Sequence, residues 1–292
     1  MDSVLISVLL PMALAVVMFG LGLSLTVADF VRIRRQPRAV IVALLCQLVL
    51  LPSICFGIVV LLDLSPLLAV GMMLLAASPG GTTANLFSHL FRGDVALNIT
   101  LTAVNSLLAL VTLPFIISIA LGYFEPSIAG EDVSLPFSKV LEVFAIVLIP
   151  VVVGMVMRRQ APSFAARMDR PVRLLSAAVL AGMIVGAIVS ERENVADYLA
   201  QVGIAALLFC AASLSIGYFV PRAVGVNRAQ ATASAMEIGV HNSTLAITIA
   251  ISVLDSVDLA IPAAVYSVVM FPAAALAGWL ISRRRTAMEP AR

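Results

Sequence analysis

The chain has 292 residues, of which 62% are hydrophobic and only 12% are charged, and its mean hydropathy is +1.11. Soluble domains have about twice that charged fraction, so the composition excludes a soluble protein and leaves no room for a separate soluble domain. It predicts an all-α polytopic membrane protein in a lipid bilayer, with no nucleic acid as partner. Cys46, Cys55 and Cys210 lie in apolar segments and form neither a disulfide framework nor a zinc pattern.

Nine apolar segments follow one another, each long enough to cross a hydrocarbon core of about 30 Å. They cover residues 3–28, 38–62, 66–91, 95–122, 136–157, 172–190, 196–220, 229–253 and 257–281. The first segment has no basic region before it, so we expect it to be retained as a span and not removed as a signal peptide. The sequence therefore predicts nine transmembrane helices.

The links between these segments divide the basic residues unequally. If every segment crosses once, 16 of the 18 Lys and Arg residues lie on one side of the membrane, and only Lys139 and Arg192 lie on the other. The positive-inside rule makes the arginine-rich side cytoplasmic. This predicts a multi-pass protein of the cell membrane (the inner membrane if bacterial), with its N-terminus outside and its C-terminus in the cytoplasm. The 16 residues are Arg32, Arg34, Arg35, Arg38, Arg92, Arg158, Arg159, Arg167, Arg170, Arg173, Arg222, Arg228, Arg283, Arg284, Arg285 and Arg292.

The third and eighth segments are both interrupted. The third contains the run 78–82 (SPGGT), in which proline lacks a backbone donor and two glycines tolerate non-helical angles. We predict that its helix breaks there and restarts with Thr82 or Thr83 as the N-cap. The eighth contains the run 239–244 (GVHNST), which suits an unwound, polar-lined break.

The two breaks occupy matching positions in two halves of the chain. Residues 1–135 would form a first repeat, spans one to four, with its broken helix at 66–91. Residues 136–292 would form a second repeat, spans five to nine, with its broken helix at 229–253. Within these halves, spans one to four and spans six to nine share the order span, span, broken span, span. The one crossing between them, span five, inverts the second unit relative to the first, and such inverted repeats with broken helices are typical of secondary transporters.

Glu237 is the residue that most strongly suggests a function. It and His241 are the only ionisable groups in the apolar region from about 229 to 254. A carboxylate at membrane depth costs about 2.5–3.5 kcal/mol on insertion scales, so it needs a partner such as a bound cation or a proton. His241 could carry a proton, contact an ion or a substrate, or donate to a neighbouring carbonyl.

Other polar side chains could complete a site with Glu237. In the fourth segment, Asn98, Thr102 and Asn105 are spaced so that they share one helix face. Gln47 is the only strongly polar residue of its apolar run and precedes a plausible kink at Pro52. Amide, hydroxyl and carboxylate oxygens are hard ligands that suit sodium-like ions. Each of these side chains could instead serve only in hydrogen bonds between membrane helices.

These residues resemble the signature regions of the bile acid:sodium symporter family. The resemblance depends on the runs 78–85 (SPGGTTAN), 92–97 (RGDVAL) and 237–242 (EIGVHN), with support from 18–23 (MFGLGL) and from Gln47 with Pro52. It implies a core domain built on two broken, crossing helices and a panel domain that moves against it. By motif position, the chain is similar to nine-span members, in which the first repeat lacks one helix.

The resemblance also implies two sodium sites and a substrate site, with sodium as the coupling ion and no other cofactor. Family members commonly have serine where this chain has Ala84 or Asn98, and glutamine where it has His241. Imidazole is a poorer sodium ligand than an amide oxygen and can be protonated, so one proton could replace one sodium, or the second site could be lost. Site 1 would involve Asn85, Asn98, Thr102 and Glu237; site 2 would involve Gln47, Glu237, the carbonyls of Ile238 and Val240, and His241; the substrate site would involve Thr82, Thr83, Asn105, Asn242 and Ser243.

The sequence thus predicts a sodium-coupled secondary symporter of an organic anion that works by alternating access. The resemblance suggests a bile-acid-like steroid or a small carboxylate such as pantoate as the substrate. The alternative is a proton-coupled transporter or exchanger on the same fold, distinguished by whether sodium or pH drives the flux. We do not expect an enzyme, because the cysteines have no evident histidine or acid partner and no metal cluster is apparent.

Overall fold

The structure is a computed structural model that describes residues 31–128, 131–132, 137–168 and 195–286, together with scattered residues between 12 and 26 and between 171 and 178. This part of the chain is almost entirely helical. Its only strands are β1 (Ser127–Ile128) and β2 (Glu131–Asp132), which pair antiparallel after a long helix. The helices are α1 (Pro37–Leu61), α2 (Pro66–Ala77), α3 (Thr83–Leu90), α4 (Val95–Phe124), α5 (Phe137–Gln160), α6 (Val195–Ala223), α7 (Arg228–Gly239), α8 (Ser243–Ser252) and α9 (Ile261–Thr286).

Four stretches among the described helices are long and apolar enough to cross a membrane, namely Pro37–Leu61, Val95–Phe124, Ala200–Ala223 and Asp258–Arg283. The prediction of an all-α polytopic membrane protein is therefore confirmed. The count of nine stays a prediction, since most of the first and sixth segments, 3–28 and 172–190, lie outside the described residues. The division into repeats at 1–135 and 136–292 likewise remains a prediction.

Both predicted helix breaks are present. Helix α2 ends at Ala77 and α3 begins at Thr83, while α7 ends at Gly239 and α8 begins at Ser243. Thr82 occupies the predicted N-cap position of α3, although its side chain caps no backbone N–H. At the second break the cap is Asn242, whose side chain accepts from the N–H of Leu245.

Helix α1 is distorted where Pro52 follows Gln47. Residues Cys46–Leu50 form a π-helical turn, in which the N–H of Leu51 donates to the carbonyl of Cys46, five residues earlier. Proline cannot make the regular bond and its ring crowds the carbonyl four residues before it, so the helix widens just ahead of it. Gln47 is thereby buried inside the protein, with 3% of its surface exposed.

Small residues let the helices approach closely. Helix α7 is mainly Ala, Ser and Thr, and it packs against α6, α3 and α4. A Cβ atom on Gly217 of α6 would lie 2.8 Å from the Cα of Ala235. In the first apolar segment, Gly22 is in similarly close contact with Gly154 of α5. Such contacts between small residues are the usual basis of helix association in membranes.

Candidate functional site

The two helix breaks meet and pair through their backbones. The N–H of Gly81 donates to the carbonyl of Val240 at 2.7 Å, and the N–H of Asn242 donates to the carbonyl of Pro79 at 2.8 Å. These two bonds form an antiparallel bridge between Gly80 and His241. Backbone groups that lose their helical partners inside a membrane must find others. At the crossing, backbone groups of each break form hydrogen bonds with backbone groups of the other.

Glu237 lies in the last turn of α7 beside this crossing and is 2% exposed. Its Oε2 accepts a hydrogen bond from the Thr102 hydroxyl at 2.6 Å and from the Asn98 amide at 3.2 Å. The other side of the carboxylate is against Gly80, where a Cβ atom would lie 2.2 Å from Oε1. Only glycine therefore allows the break before α3 to approach the carboxylate this closely.

Several buried side-chain oxygens on α7 and on the helices α3 and α4 that pack against it accept no hydrogen bond within the described part of the chain. They are Oε1 of Glu237, Oδ1 of Asn98 and Oδ1 of Asn85. All three come from the residues predicted for site 1, and the fourth, Thr102, is bonded directly to Glu237. Buried polar atoms are normally satisfied. Oxygen acceptors on adjoining helices, together with an acid, are a donor set that fits a hard cation such as sodium.

Two of the residues predicted for site 2, Gln47 and His241, meet at the carbonyl of Ser78. Gln47 donates to it through Nε2 at 3.1 Å, and His241 approaches it through Nδ1 at 3.2 Å. Since a carbonyl only accepts, we assign the proton of the neutral His241 ring to Nδ1. The ring packs against Phe209 and Tyr266, whose ring centroids each lie 5.4 Å from its own.

One position of this group offers no oxygen. His241 presents a nitrogen, Nε2, that has no partner in the described structure. The unpartnered side-chain oxygens of the group are Oε1 of Gln47 and Oε1 of Glu237. The Val240 carbonyl accepts from Gly81 and keeps a second lone pair, and Ile238 is buried in the last turn of α7. Because a nitrogen is a poorer sodium ligand than an oxygen, the donor set of site 2 fits sodium less well than that of site 1.

The residues predicted to bind substrate differ in their exposure. Thr82 and Thr83 are exposed at the start of α3, Asn242 is half-buried, and Asn105 and Ser243 are buried. The Asn105 amide nitrogen and the Ser243 hydroxyl have no hydrogen-bond partner among the described residues.

A cavity of about 10 Å³ lies beside the crossing. Pro79 and Asn242 line it together with Ser106, and Met18 of the first apolar segment closes it. This volume holds at most about one water molecule, so an organic substrate can enter only if the walls separate.

Two supporting residues were not singled out by the sequence. The hydroxyl of Tyr266 donates to the carbonyl of Gly239 at 2.9 Å and so satisfies the end of α7. Phe209 stacks on the His241 ring. Both lie in long apolar segments, where an aromatic residue gives no signal that separates it from ordinary packing.

A buried acid beside the crossing of two broken membrane helices is an arrangement found in secondary transporters. A family model for the Sodium Bile acid symporter family matches residues 11–198 of the chain. The chain belongs to this family, which confirms the resemblance drawn from the signature runs. It also confirms that the protein is a transporter and not an enzyme.

Similar proteins come from bacteria, plants and animals. The uncharacterized sodium-dependent transporter YocS of Bacillus subtilis (strain 168) is 26% identical over 255 residues, which are 87% of this chain and 77% of that protein. The ileal sodium/bile acid cotransporter of Oryctolagus cuniculus is 27% identical over 249 residues, 85% of this chain and 70% of that protein. A probable chloroplastic sodium/metabolite cotransporter of Arabidopsis thaliana is 27% identical over 262 residues, 87% of this chain and 62% of that protein.

Proposed function

We propose that this protein is a sodium-coupled symporter of an organic anion and that it works by alternating access. The observation that carries the proposal is the buried Glu237, which accepts from the Asn98 amide, together with side-chain oxygens of Asn98 and Asn85 that have no donor among the described residues. The names of the relatives, which are sodium/bile acid and sodium/metabolite cotransporters, support sodium as the coupling ion.

In this proposal sodium binds first and organises the crossing. It binds the Glu237 carboxylate together with the amide oxygens of Asn85 and Asn98. Because the carboxylate is packed against Gly80, the ion stabilises the position of the first break relative to α7. The helices α3 and α8 both begin at the crossing, and their N-terminal dipoles favour an anion.

The anion would bind beside these helix ends, near Thr82, Thr83 and Asn242, with Asn105 and Ser243 behind them. The cavity lined by Pro79 and Asn242 is too small for an organic molecule in this conformation. Separation of the element that carries Met18 from the crossing would open it. Such a movement of one part of the protein against a fixed crossing is the alternating access that we propose.

We further propose that site 1 supplies the dominant sodium affinity. At site 2, His241 presents a nitrogen, which is a poorer sodium ligand than an oxygen. The Nε2 of His241, which has no partner among the described residues, favours the alternative function, in which a proton couples transport at this position.

Sodium should raise the thermal stability of the purified protein in detergent. A ligand that binds only the folded state stabilises it by RT ln(1 + [L]/Kd), about 2.7 kcal/mol at a hundredfold excess over Kd. The melting midpoint should rise with sodium chloride and stay constant when choline chloride or potassium chloride replaces it at the same ionic strength. No sodium-specific rise, together with substrate uptake that follows a pH gradient in vesicles, would contradict sodium coupling and support the proton-coupled alternative.

Replacing Thr102 with valine should weaken the sodium response. The substitution keeps the shape of the side chain but removes one oxygen and the 2.6 Å bond that orients the Glu237 carboxylate. A hydrogen bond to a charged group is worth about 1.5–3 kcal/mol, so the sodium concentration for half-maximal stabilisation should rise at least about tenfold.

Thr100→Val is the matched control, because it lies on the same helix and its hydroxyl bonds only to the carbonyl of Ala96. The control should keep the sodium response of the unmodified protein. Equal sodium responses in both variants would assign Thr102 a purely structural role.

A further inference from the structure

A second cavity lies away from the backbone pairing of the breaks, between α6 and α9. It has a volume of about 210 Å³ and is lined by apolar side chains of both helices. We call it the α6–α9 groove; its walls include Tyr218 and Phe219 of α6 and Ala277 and Leu280 of α9. Phe219 and Leu280 are 57% and 51% exposed, so the groove opens toward the surroundings of the protein. In a membrane-spanning helix pair those surroundings are lipid.

Two guanidinium groups lie at one end of this groove. Arg222 follows Tyr218 by four residues on α6, which places it one turn further along the same face, and its guanidinium donates to the carbonyl of Val226. Arg228 donates to the carbonyl of Ile281, a groove-lining residue. Both belong to the side of the membrane that the sequence predicts to be arginine-rich.

An apolar groove with cations at one end matches the two parts of an anionic phospholipid. An acyl chain is complementary to the walls formed by Phe219 and Leu280. A phosphate is complementary to guanidinium groups, which offer several donors in a fixed fork. Basic residues near the ends of membrane helices are where anionic headgroups are attracted.

Other occupants fit this combination less well. A second copy of the chain bound about a two-fold axis would bring the same patch against itself, and the arginines of both copies would then lie together. A water-soluble anion would match the arginines but not the exposed apolar walls. We therefore propose that the α6–α9 groove binds an anionic phospholipid, with one acyl chain between α6 and α9 and its phosphate bonded to Arg222 and Arg228.

The groove also touches the candidate functional site. Leu214, on its inner wall, packs against Gly239, the last residue of α7, so closely that a Cβ there would lie 2.3 Å from the Leu214 side chain. A bound acyl chain would thus pack against the part of α6 that contacts the end of α7 next to the crossing. The proposal does not depend on which ion or substrate is transported.

A tryptophan placed in the groove allows a direct test. The only tryptophan of the chain, Trp279, is one residue from Leu280 and two from Ala277, so it lies on another face of α9. In a Trp279→Phe background, the substitution Phe219→Trp moves the single tryptophan to an exposed groove position. This full-length chain would be reconstituted in phosphatidylcholine vesicles that contain increasing amounts of brominated phosphatidylglycerol or of brominated phosphatidylcholine. Bromine quenches tryptophan fluorescence at short range, so the two titrations give the relative association of each lipid next to position 219.

We expect phosphatidylglycerol to associate about fivefold more strongly than phosphatidylcholine for each headgroup contact with an arginine. This preference should fall as salt is added.

Arg222→Gln should reduce the preference several-fold, whereas Arg159→Gln, on the same side of the membrane at the end of α5, should leave it unchanged. Ser215→Phe, which adds bulk to an exposed groove residue, should reduce quenching by both lipids.

Equal quenching by the two lipids in the otherwise unmodified protein would show ordinary bulk lipid at this surface and overturn the proposal. Absence of quenching by either lipid would show that a protein surface covers the groove, and would overturn it equally. The quenching ratio uses brominated phosphatidylcholine as its reference in each variant, so changes in the intrinsic fluorescence of the groove tryptophan cancel.

Discussion

Replacing Glu237 with glutamine should abolish the sodium-dependent stabilisation while leaving the protein folded. Glutamine has nearly the same shape, and its amide oxygen can still accept the Thr102 hydroxyl, which is 2.6 Å from Oε2 of the carboxylate. The substitution removes a negative charge at a position that is 2% exposed. At an effective dielectric constant of about 20, opposite charges 4 Å apart attract by about 4 kcal/mol. The sodium Kd should therefore rise on the order of a thousandfold.

The measurement is the melting midpoint as a function of sodium concentration, with ionic strength held constant by choline. Asp63→Asn is the matched control: it also neutralises an acid, but Asp63 is exposed and has a left-handed φ of 49° that asparagine tolerates. The control should respond to sodium like the unmodified protein. A Glu237→Gln variant with a normal sodium response would place the ion elsewhere and contradict the proposed site.

Gly80→Ala should both destabilise the protein and remove its response to sodium. The added Cβ atom would lie 2.2 Å from Oε1 and 2.6 Å from the backbone carbonyl oxygen of Glu237. Neither distance is possible, so the two breaks must move apart or the carboxylate must turn away. Added bulk in a well-packed interior costs about 1–3 kcal/mol, and a turned carboxylate would also lose the amide of Asn98.

A glycine elsewhere in the membrane region provides the comparison. A Cβ atom on Gly57 in α1 meets nothing within 4 Å. Gly57→Ala should keep the sodium response and stabilise the helix by about 0.5–1 kcal/mol, since alanine loses less conformational freedom on folding. If Gly80→Ala kept the melting midpoint and the sodium response of the unmodified protein, the close approach of the breaks would not be required for ion binding.

The parts of the site that the sequence predicted are those encoded by local pattern. The proline and paired glycines at 78–82 break a helix wherever they occur, and the break is found there. Asn98 and Thr102 are four residues apart, which places them on one face of α4. In the structure both donate to the same oxygen of Glu237. That this face of α4 would meet Glu237 was inferred from the high free-energy cost of an unpaired carboxylate inside a membrane.

The parts that the sequence did not predict depend on pairings between distant residues. The carbonyl of Ser78 receives both Gln47 and His241, and the latter is 163 positions away along the chain. No periodicity encodes such a pairing. The π-helical turn before Pro52 was not predicted either, because a proline predicts a distortion of the helix but not which form the distortion takes. Tyr266 donates to the carbonyl of Gly239 at the end of α7. The sequence around Tyr266 does not distinguish it from an aromatic residue that only packs between helices.

The backbone pairing of the two breaks also has a consequence for the synthesis of the protein. The ribosome completes the first break, with Pro79 and Gly81, long before it makes Val240 and Asn242. During that interval the carbonyl of Pro79 and the N–H of Gly81 lack the partners they have in the finished protein, and an unsatisfied polar backbone group in lipid costs several kcal/mol. The newly inserted first half is therefore an incomplete intermediate that exposes polar backbone to the bilayer, and it becomes stable only when the last quarter of the chain arrives. Because the same event brings Glu237 to Asn98 and Thr102, the ion-binding groups come together in the step that completes assembly.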